Sequence, residues 1–431
     1  MTALTNQPVN QPETWQCTEP RHESLASFSE HQWYRTAGYL LAASLLQNAG
    51  YNQQAQLRIL GEFAEIIAPH LGLPPGLGTR RWQSFMTDDH NPIELSWDFH
   101  TGTQQPTIRY SIEPIGLDAG SAADPNNTKA PLLFKRSILK AFPHVDTELF
   151  KHFEKTFGSL WEDGLPEGHN STIFWAFDLK EGQNTAKAYF FPGAVARATN
   201  RSNLEVIHDA ISSAPTWKLS DLKPLHTFIG FVEQHKELAL EVEMLALDLV
   251  DPVQSRLKIY FRCRRTDFST VRKIMSLGGA VENLDDGLEK LKALWDSLLG
   301  TQGQPDDMPL HDNRHRTAGI LFNVEFRVQS TTPKVKLYIP ARHYAKSDQQ
   351  VIEAVAGFLN GEAKKLGQSD LTRKYTASYA SCLYKVFNTY DLSSSLGVHT
   401  YIGCSVQGDG NLRVVTYFNP QQHKFHSDVY A

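Results

Sequence analysis

At 431 residues, of which 41% are hydrophobic, the chain has enough apolar material for one large core or for two or three smaller domains. Its formal net charge of −5 argues against a general nucleic-acid-binding protein, because phosphate contacts usually leave such domains basic. Any site for an anion must therefore be local.

The cysteines and the N-terminus indicate a reduced, cytoplasmic protein. Cys17, Cys263, Cys382 and Cys404 are widely separated and form no CxxC pair, which favours neither a disulfide framework nor a zinc site. Residues 1–22 are polar and contain proline, so they are expected to form a mobile arm rather than a secretory signal. No apolar run is long enough to span a membrane, and we expect no membrane partner.

The predicted elements repeat in a fixed order. Apolar residues at a spacing of three to four predict helices at 25–47 and 53–70, and strands are predicted at 93–99 and 107–112 around the turn-rich residues 100–103. Four further units follow: helices 131–142 and 146–157 with strands 172–179 and 186–191; helices 203–212 and 220–235 with strands 238–249 and 255–262; helices 268–277 and 283–299 with strands 319–328 and 334–339; helices 348–366 and 371–387 with strands 398–406 and 412–418. Residues 23–431 are therefore expected to form a single domain of five helix-helix-strand-strand units.

Ten strands in five antiparallel hairpins avoid exposed edges if they close into a barrel, and the helices before each hairpin supply a surrounding layer. The predicted fold class is α+β, a ten-stranded antiparallel β-barrel that encloses the active site within a ring of α-helices. In strand 319–328, Ile320, Phe322 and Val324 share one face, while Asn323 and Glu325 share the other. Apolar faces should meet the helices, which places the polar faces inside. Edges of separate sheets with solvated polar faces remain an alternative.

A basic strand recurs in each unit, at intervals of 69 to 80 residues. The cations on the predicted inner faces are Arg109, Lys187, Arg256, Lys258, Lys336 and Arg413. Because buried charges are costly unless they are paired, cations that converge inside a barrel require an anion, and a diphosphate fits.

Tyrosines accompany these cations on the same strands: Tyr189, Tyr260, Tyr338, Tyr401 and Tyr417. Aromatic faces stabilise cations, and phenol hydroxyls donate hydrogen bonds to phosphate oxygens. A mixed ring of phenols and cations suits a substrate that separates into an anion and a carbocation, as an allylic diphosphate does.

The fivefold plan, the segment Ile93–Phe99 and the five basic strands together resemble the fungal indole prenyltransferases of the dimethylallyltryptophan synthase family. The resemblance covers nearly the whole chain past the N-terminal arm. It implies the prenyltransferase (ABBA) barrel, dimethylallyl diphosphate as donor, and Friedel–Crafts alkylation of an aromatic acceptor. It also implies catalysis without a metal or another cofactor.

By the same resemblance, Arg109, Lys187, Arg256, Lys258 and Lys336, with Arg413 as a further candidate, bind the diphosphate. Tyr189, Tyr260, Tyr338, Tyr401 and Tyr417 shield the allylic cation from water. Glu94 accepts a hydrogen bond from the indole N–H and holds the ring over the cation. A salt bridge within the hairpin is the alternative interpretation for Glu94.

Magnesium-dependent terpenoid enzymes hold diphosphate through Asp-rich helices, and two acidic pairs of this chain partly match that pattern. Asp306-Asp307 lacks a third carboxylate, whereas Asp285-Asp286 has Glu289 at the right spacing. Because Asp285 and Asp286 open a predicted helix, where carboxylates interact favourably with the helix dipole, a structural role is preferred and no metal site is predicted.

The acceptor is predicted from two basic residues that some family members carry and this chain lacks. Family members acting on free tryptophan generally carry an Arg and a Lys on the first strands of the third and second hairpins, where this chain has Glu243 with Met244 and Trp175. A carboxylate-bearing acceptor would meet Glu243 unfavourably, so the predicted acceptor is a neutral indole, a tryptophan-containing cyclic dipeptide or a related alkaloid. Trp175, Glu243 and Met244 are its predicted pocket, and free tryptophan or another aromatic is the alternative.

Two other classes stay open from sequence alone: a non-catalytic, lipocalin-like carrier and a single-strand nucleic-acid binder. The convergent cations with phenols argue against the carrier, and the acidic balance argues against the nucleic-acid binder. The expected partners are dimethylallyl diphosphate and an indole, with no nucleic acid, and the expected assembly is a monomer or a homodimer. His399 has no partner pattern and is predicted to be a surface or hairpin residue.

Overall fold

The computed structural model describes residues 16, 18, 25–41, 46–75, 81–99, 105–158, 169–365, 370–388 and 390–420. The predicted arm at 1–22 lies outside these ranges apart from residues 16 and 18, as does the predicted turn at 100–103. No helix within them is long and apolar enough to cross a membrane.

The described chain follows the predicted order of elements. The first two units comprise α1 (Leu25–Trp33), α2 (Gln53–Glu62), β1 (Ile93–Phe99), β2 (Thr107–Ile112), α3 (Lys129–Ala141), α4 (Glu148–Phe157), β3 (Ile173–Asp178) and β4 (Thr185–Phe190). The third comprises α5 (Gly193–Ala198), α6 (Asn203–Ser212), α7 (Lys223–Gln234), β5 (Glu241–Asp248) and β6 (Leu257–Cys263). The last two comprise α8 (Phe268–Met275), α9 (Asp285–Leu299), β7 (Ile320–Phe326), β8 (Lys334–Ile339), α10 (Ala341–Tyr344), α11 (Asp348–Lys365), α12 (Asp370–Val386), β9 (His399–Val406) and β10 (Leu412–Phe418).

The ten strands form one closed antiparallel barrel in which each strand pairs with its sequence neighbours. Closure comes from β1, which pairs with β2 on one side and with β10 on the other, placing Ser96 opposite Tyr417. The predicted barrel is therefore confirmed, and the alternative of separate sheets is wrong.

Helix boundaries follow local signals. Ser202 and Glu205 form a reciprocal capping box at the start of α6, and the Asp267 side chain accepts a hydrogen bond from the Thr270 backbone N–H at the start of α8. The short helices α5 and α10 were not predicted, and β5 begins at Glu241, later than the predicted start at 238. Lys236–Leu238 form a helical turn instead, and Ala239 adopts a left-handed φ of 45° before the strand begins.

The main hydrophobic core lies between the barrel and the helices. On β6, Leu257, Ile259 and Phe261 face this core and are fully buried, while Lys258 and Tyr260 point into the barrel. On α4, Leu149, Phe150, Phe153 and Phe157 form the buried stripe that packs against the outside of the barrel. The barrel therefore has an apolar outside and a polar, charged inside.

Candidate active site

One end of the barrel interior gathers the predicted cations. Arg109, Lys187, Arg256, Lys258, Lys336 and Arg413 line a single cavity of about 110 Å³, together with four of the predicted tyrosines. Typical ligand pockets measure roughly 300 Å³ or more. The cavity is therefore smaller than a typical ligand pocket.

Four carboxylates that the sequence analysis did not assign lie among these cations. Asp98, Asp178, Asp248 and Glu325 occupy the inward positions of β1, β3, β5 and β7. Arg109 pairs with Asp98 and, at 2.7 Å, with Asp178, which also pairs with Lys187. Arg256 and Lys258 lie 2.5 and 2.8 Å from Asp248. Arg413 contacts Asp98 through two nitrogens at 2.5 and 2.9 Å.

The premise that the buried cations need an external anion is therefore wrong for most of them. Their pairing with carboxylates explains how the cluster stays buried without one. The six named cations still outnumber the four named carboxylates by two, so the cluster favours an anion. The period of two could have revealed the carboxylates, since each has the inward parity of the cations.

Burial lowers the pKa of all three lysines in the cluster, Lys187, Lys258 and Lys336. Burial lowers the pKa of Lys187 to about 8, although the charge of Asp178 opposes the shift. Burial, and then repulsion by Arg109 and Arg413, hold the pKa of Lys336 well below its ordinary value. Burial alone would raise the pKa of Asp178, but Arg109 and Lys187 outweigh it and keep this carboxylate ionised. Lys336 is thus the member of the cluster whose charge an added anion would stabilise most.

Above the cluster lies a layer of tyrosines. Ring centroids of successive members, Tyr189, Tyr260, Tyr338 and Tyr417, are each 5.8 Å apart, and Tyr401 lies 6.4 Å from Tyr338. The Tyr260 and Tyr338 hydroxyls are 3.2 Å apart, and Asn323 donates a hydrogen bond of 2.9 Å to the Tyr338 hydroxyl. All five predicted shield tyrosines therefore lie together inside the barrel.

Lys336 links the cation cluster to the tyrosine layer. Its ammonium lies 4.5 Å from the ring centroid of Tyr338 and 5.4 Å from that of Tyr417, and it donates a hydrogen bond of 3.1 Å to the Tyr417 hydroxyl. The backbone of Gly403 allows this position, since a Cβ there would lie 2.8 Å from Lys336 Cε. The Lys336 amino group thus lies against the faces of both rings.

Glu94 lies near the opposite end of the barrel. Thr400 donates a hydrogen bond of 2.5 Å to its Oε1. Burial raises the pKa of Glu94 to about 7, with Thr400 and the charge of Arg342 acting in the opposite direction. The alternative of a salt bridge within its own hairpin is wrong, because the observed partner is a threonine on β9.

The apolar lining of this end differs from the prediction at one residue. Trp175 is fully buried in the outer core, where it packs against Phe134 and Phe150, so its assignment to the acceptor pocket is wrong. Its neighbour Phe174 points inward and stacks on Tyr189 with centroids 4.1 Å apart. The alternation of side chains along the strand could have shown this. Phe174 lies opposite Tyr189, which was predicted to face inward, and directly opposed residues share a face. Met244 belongs to the interior apolar cluster as predicted.

Glu243 does not present an unpaired negative charge. A β-bulge between Val242 and Met244 lets the Glu243 carboxylate reach Arg262, whose Nε lies 2.6 Å away. Arg262 also donates to the backbone carbonyl of Thr317. The argument that Glu243 would repel an acceptor carboxylate is therefore wrong. Arg262 continues the inward series of Arg256, Lys258 and Tyr260 but was not assigned.

A segment before β1 covers this end of the barrel. Phe85 packs against Phe174 and Phe191 with centroids 5.2 and 4.9 Å away, and Met86 joins the interior cluster. The buried Glu113 holds the segment by accepting hydrogen bonds from Trp82 Nε1 at 2.8 Å and from Ser84 at 2.6 Å. No role was predicted for these residues.

Two groups of acidic and histidine residues have the composition of a possible metal site. Asp285 and Asp286 lie in the first turn of α9, and Glu289 pairs with Arg272 at 2.8 Å. The ligand atoms of Asp88, His315 and His343 lie within 4.8 Å of one another. Asp88 also lies 3.0 Å from Arg342 Nε. The guanidinium of Arg342 therefore places a positive charge beside the position that a metal ion would occupy.

His399 lies in the hairpin of β9 and β10, one of the two predicted alternatives, and it is not a surface residue. It is fully buried in the outer core, where its Nδ1 lies 2.8 Å from Asp348 and its Nε2 lies 3.0 Å from the Tyr379 hydroxyl. Its partners come from α11 and α12, which local sequence around β9 does not reveal.

Comparisons with known proteins agree with this architecture. The crystal structure of AnaPT from Neosartorya fischeri matches with a TM-score of 0.76 at 24% identity, over 94% of this chain and 98% of that one. A likeness at this identity shows the fold, which is that of a prenyltransferase barrel.

The family follows from the sequence matches. The model of the family described as Tryptophan dimethylallyltransferase matches residues 29–378. The 4-O-dimethylallyl-L-tyrosine synthase of Claviceps purpurea is 35% identical over 90% of this chain and 87% of its own length. The 7-dimethylallyltryptophan synthase of Aspergillus fumigatus is 32% identical, covering 90% and 84%. This chain belongs to the tryptophan dimethylallyltransferase family and is a prenyltransferase.

Proposed function

We propose that this protein transfers the dimethylallyl group of dimethylallyl diphosphate to an indole or phenol acceptor, without a metal ion. The diphosphate would lie among Arg109, Lys187, Arg256, Lys258, Lys336 and Arg413, and the allyl group would lie against the tyrosines. The acceptor would lie between Glu94 and the apolar residues Phe174 and Met244.

The reaction begins when the bond between C1 of the allyl group and the bridging oxygen breaks. The diphosphate keeps the electron pair, and the surrounding cations stabilise the negative charge that it gains. The charges of Lys336 and Lys187 depend most on the diphosphate. Burial lowers the pKa of both lysines, and a bound anion raises it again.

The position of the tyrosine rings directly beside the cation cluster, with the Lys336 amino group 4.5 Å from the Tyr338 ring centroid and 5.4 Å from that of Tyr417, is the observation that carries the proposal. It supports the view that these ring faces stabilise a cation in the water-poor interior. An allylic carbocation released beside the diphosphate would meet the same faces, which would also keep water from quenching it.

Glu94 would accept a hydrogen bond from the acceptor's N–H or O–H and so raise its electron density. The acceptor then forms a new bond to the allyl carbon and loses one proton, which the released diphosphate would accept. With a pKa of about 7, Glu94 is ionised in a large fraction of molecules at neutral pH. The preference for a neutral cyclic dipeptide stays a prediction, but its argument from Glu243 no longer supports it.

The test is an incubation with dimethylallyl diphosphate and EDTA against L-tyrosine, L-tryptophan and a tryptophan-containing cyclic dipeptide. One acceptor should gain about 68 Da, one dimethylallyl group in place of a proton. Lys187→Met should lose most of the turnover and weaken donor binding, whereas Lys273→Met, at a surface lysine paired with Glu237, should not. A protein that binds the donor but gives no product with any aromatic acceptor would refute the reaction. Activity abolished by EDTA would refute the metal-free chemistry.

A further inference from the structure

The tyrosine layer surrounds the proposed allyl cation with groups that could themselves react with it. A phenol is one of the two proposed acceptor classes, and the layer holds the phenols of Tyr189, Tyr260, Tyr338, Tyr401 and Tyr417. A phenol oxygen that attacked the cation would form an aryl allyl ether and block the site after one turnover. An enzyme that turns over repeatedly must therefore keep these hydroxyl groups unreactive.

Asn323 lies against the tyrosine layer. It is buried on β7, opposite Tyr260 of β6 and Lys336 of β8. Its Nδ2 donates a hydrogen bond of 2.9 Å to the Tyr338 hydroxyl, which also lies 3.2 Å from the Tyr260 hydroxyl. Because the amide donor occupies the Tyr338 oxygen, the phenol proton of Tyr338 is directed toward Tyr260. The oxygen lone pair of Tyr338 is thus engaged within the layer.

The Asn323 amide gives this phenol a donor and no acceptor. Its Oδ1 is buried and has no hydrogen-bond partner among the described residues. A buried acceptor without a partner is costly, and an apolar residue in a purely structural position would avoid that cost. The presence of an amide here is therefore explained by the N–H that it gives to Tyr338.

Two other phenols of the layer accept hydrogen bonds from N–H groups in the same way. Lys336 Nζ donates one of 3.1 Å to the Tyr417 hydroxyl. Arg342 Nη2 donates one of 3.2 Å to the Tyr401 hydroxyl. An N–H donor draws electron density from a phenol oxygen, whereas the carboxylate of Glu94 would add electron density to a bound acceptor. The barrel therefore distinguishes the phenols of the layer from a phenol that is to react.

Burial acts in the same direction as these donors, because it keeps the phenols protonated. Burial holds the pKa of Tyr189 and Tyr338 well above the ordinary value and raises the pKa of Tyr260. A neutral phenol is a much weaker nucleophile than a phenolate.

We propose that Asn323 is a positioning residue that protects Tyr338 from alkylation by the protein's own prenyl donor. The inference rests on the proposed prenyl transfer and assigns a role in it to a further residue. Without the Asn323 N–H, the Tyr338 oxygen would bond to C1 of the allyl group while the bond between C1 and the bridging oxygen of the diphosphate breaks. The diphosphate keeps the electron pair of that bond and accepts the phenol proton.

The test incubates the protein with dimethylallyl diphosphate and no acceptor, and measures the mass of the intact chain. The wild-type chain should stay unmodified. Asn323→Asp replaces the N–H donor by a carboxylate of nearly the same size, which should attract the Tyr338 proton and free the oxygen. This variant should gain about 68 Da, one dimethylallyl group in place of a proton, and peptide mass spectrometry should locate the group on Tyr338. The modified fraction should exceed that of the wild type about ten- to hundredfold, the range expected for one charged hydrogen bond.

Further variants separate protection from folding. Asn323→Val removes the donor without adding a charge, and its β-branched side chain suits a buried strand, so it decides the question if Asn323→Asp fails to fold. It should be modified at the same tyrosine. The double variant Asn323→Asp/Tyr338→Phe should lose the modification. Asn388→Asp, at an exposed asparagine, is the matched control and should stay unmodified.

Two results would overturn the proposal. One is a wild-type chain modified at Tyr338 as readily as the variants, and the other is a folded Asn323 variant that binds the donor and stays unmodified. Either result refutes this inference alone if the wild-type protein prenylates a free aromatic acceptor, whereas no prenylation of any free aromatic would refute the proposed function.

Discussion

At the scale of single residues, Glu94 shows how burial sets chemistry. Its neighbours Thr400 and Arg342 favour the ionised form, but desolvation prevails and the pKa rises to about 7. A carboxylate in this range accepts a hydrogen bond from an acceptor at neutral pH and still takes up a proton readily. The residue is therefore suited to polarising an N–H or O–H group.

Glu94→Gln tests this role through pH. In the wild-type protein, kcat/KM for the acceptor should rise as pH increases through about 7, since the carboxylate is the active form. Glu94→Gln should have low activity and lose that rise. A variant that retained nearly full activity with the same pH profile would rule out Glu94 as the acceptor anchor.

The same substitution should change stability in a defined direction. The pKa of Glu94 is higher in the folded chain than its ordinary value, so the folded state binds more protons and its stability falls as pH rises from about 4.5 to 7. Thermal unfolding at pH 5 and pH 8 should show that Glu94→Gln loses less stability over this interval than the wild type. Glu282→Gln, at an exposed glutamate, should behave as the wild type.

At the scale of elements, two adjacent residues of β3 have different roles, one in the outer core and one in the proposed acceptor site. Trp175 faces the outer core and Phe174 faces the tyrosine layer, because side chains alternate along a strand. The two neighbours therefore serve as controls for each other.

Trp175→Leu should lower the free energy of unfolding by about 3 kcal/mol, as expected when a large buried aromatic side chain is shortened. At a temperature where the variant is folded, its KM for the acceptor should be unchanged. Phe174→Leu should do the reverse, with a small loss of stability and a higher acceptor KM. Denaturant unfolding and steady-state kinetics on both variants check the assignment, and equal kinetic effects would contradict it.

At the scale of the whole molecule, closure of the barrel assembles the charge cluster. Asp98 on β1 accepts hydrogen bonds from Arg413 on β10 and pairs with Arg109 on β2, so its partners come from both sides of the closing strand. Its side chain is fully buried. Closure of the barrel between β1 and β10 and the proposed diphosphate site therefore both depend on the carboxylate of Asp98.

Asp98→Ala should destabilise the protein by roughly 3 to 5 kcal/mol, because two arginines lose a buried partner. Asp307→Ala, at an exposed aspartate, should leave stability within about 0.5 kcal/mol of the wild type. Chemical denaturation measures both. A stable Asp98→Ala variant would mean that the cations do not need this carboxylate in the folded state.

Binding of inorganic diphosphate should be coupled to proton uptake. The pKa of Lys187 is lowered to about 8, and that of Lys336 lies well below its ordinary value, so an anion should return protons to them. Affinity should fall as pH rises through about 8. Calorimetry at pH 8 in two buffers of different ionisation enthalpy should show the uptake, and Lys187→Met should reduce it. An identical enthalpy in both buffers would contradict the coupling.

Most of the barrel could be predicted from sequence because its signals are local. Alternation with a period of two gave the strands and their inner faces, and it placed all six cations and all five tyrosines inside. Trp175 was misplaced although the same parity was available. Glu243 was misjudged because the bulge that turns it toward Arg262 breaks that parity.

The sequence by itself determined the repeating unit, the polar interior and the residue types that a diphosphate and a carbocation require, since each follows from periods of two and 3.6 along a continuous chain. Only the tertiary structure decided which side chains meet inside the barrel. Asp98 meets Arg413, Glu94 meets Thr400 and Arg342 approaches Tyr401, all between distant segments. These contacts depend on strand register, bulges and barrel closure, which no local pattern encodes.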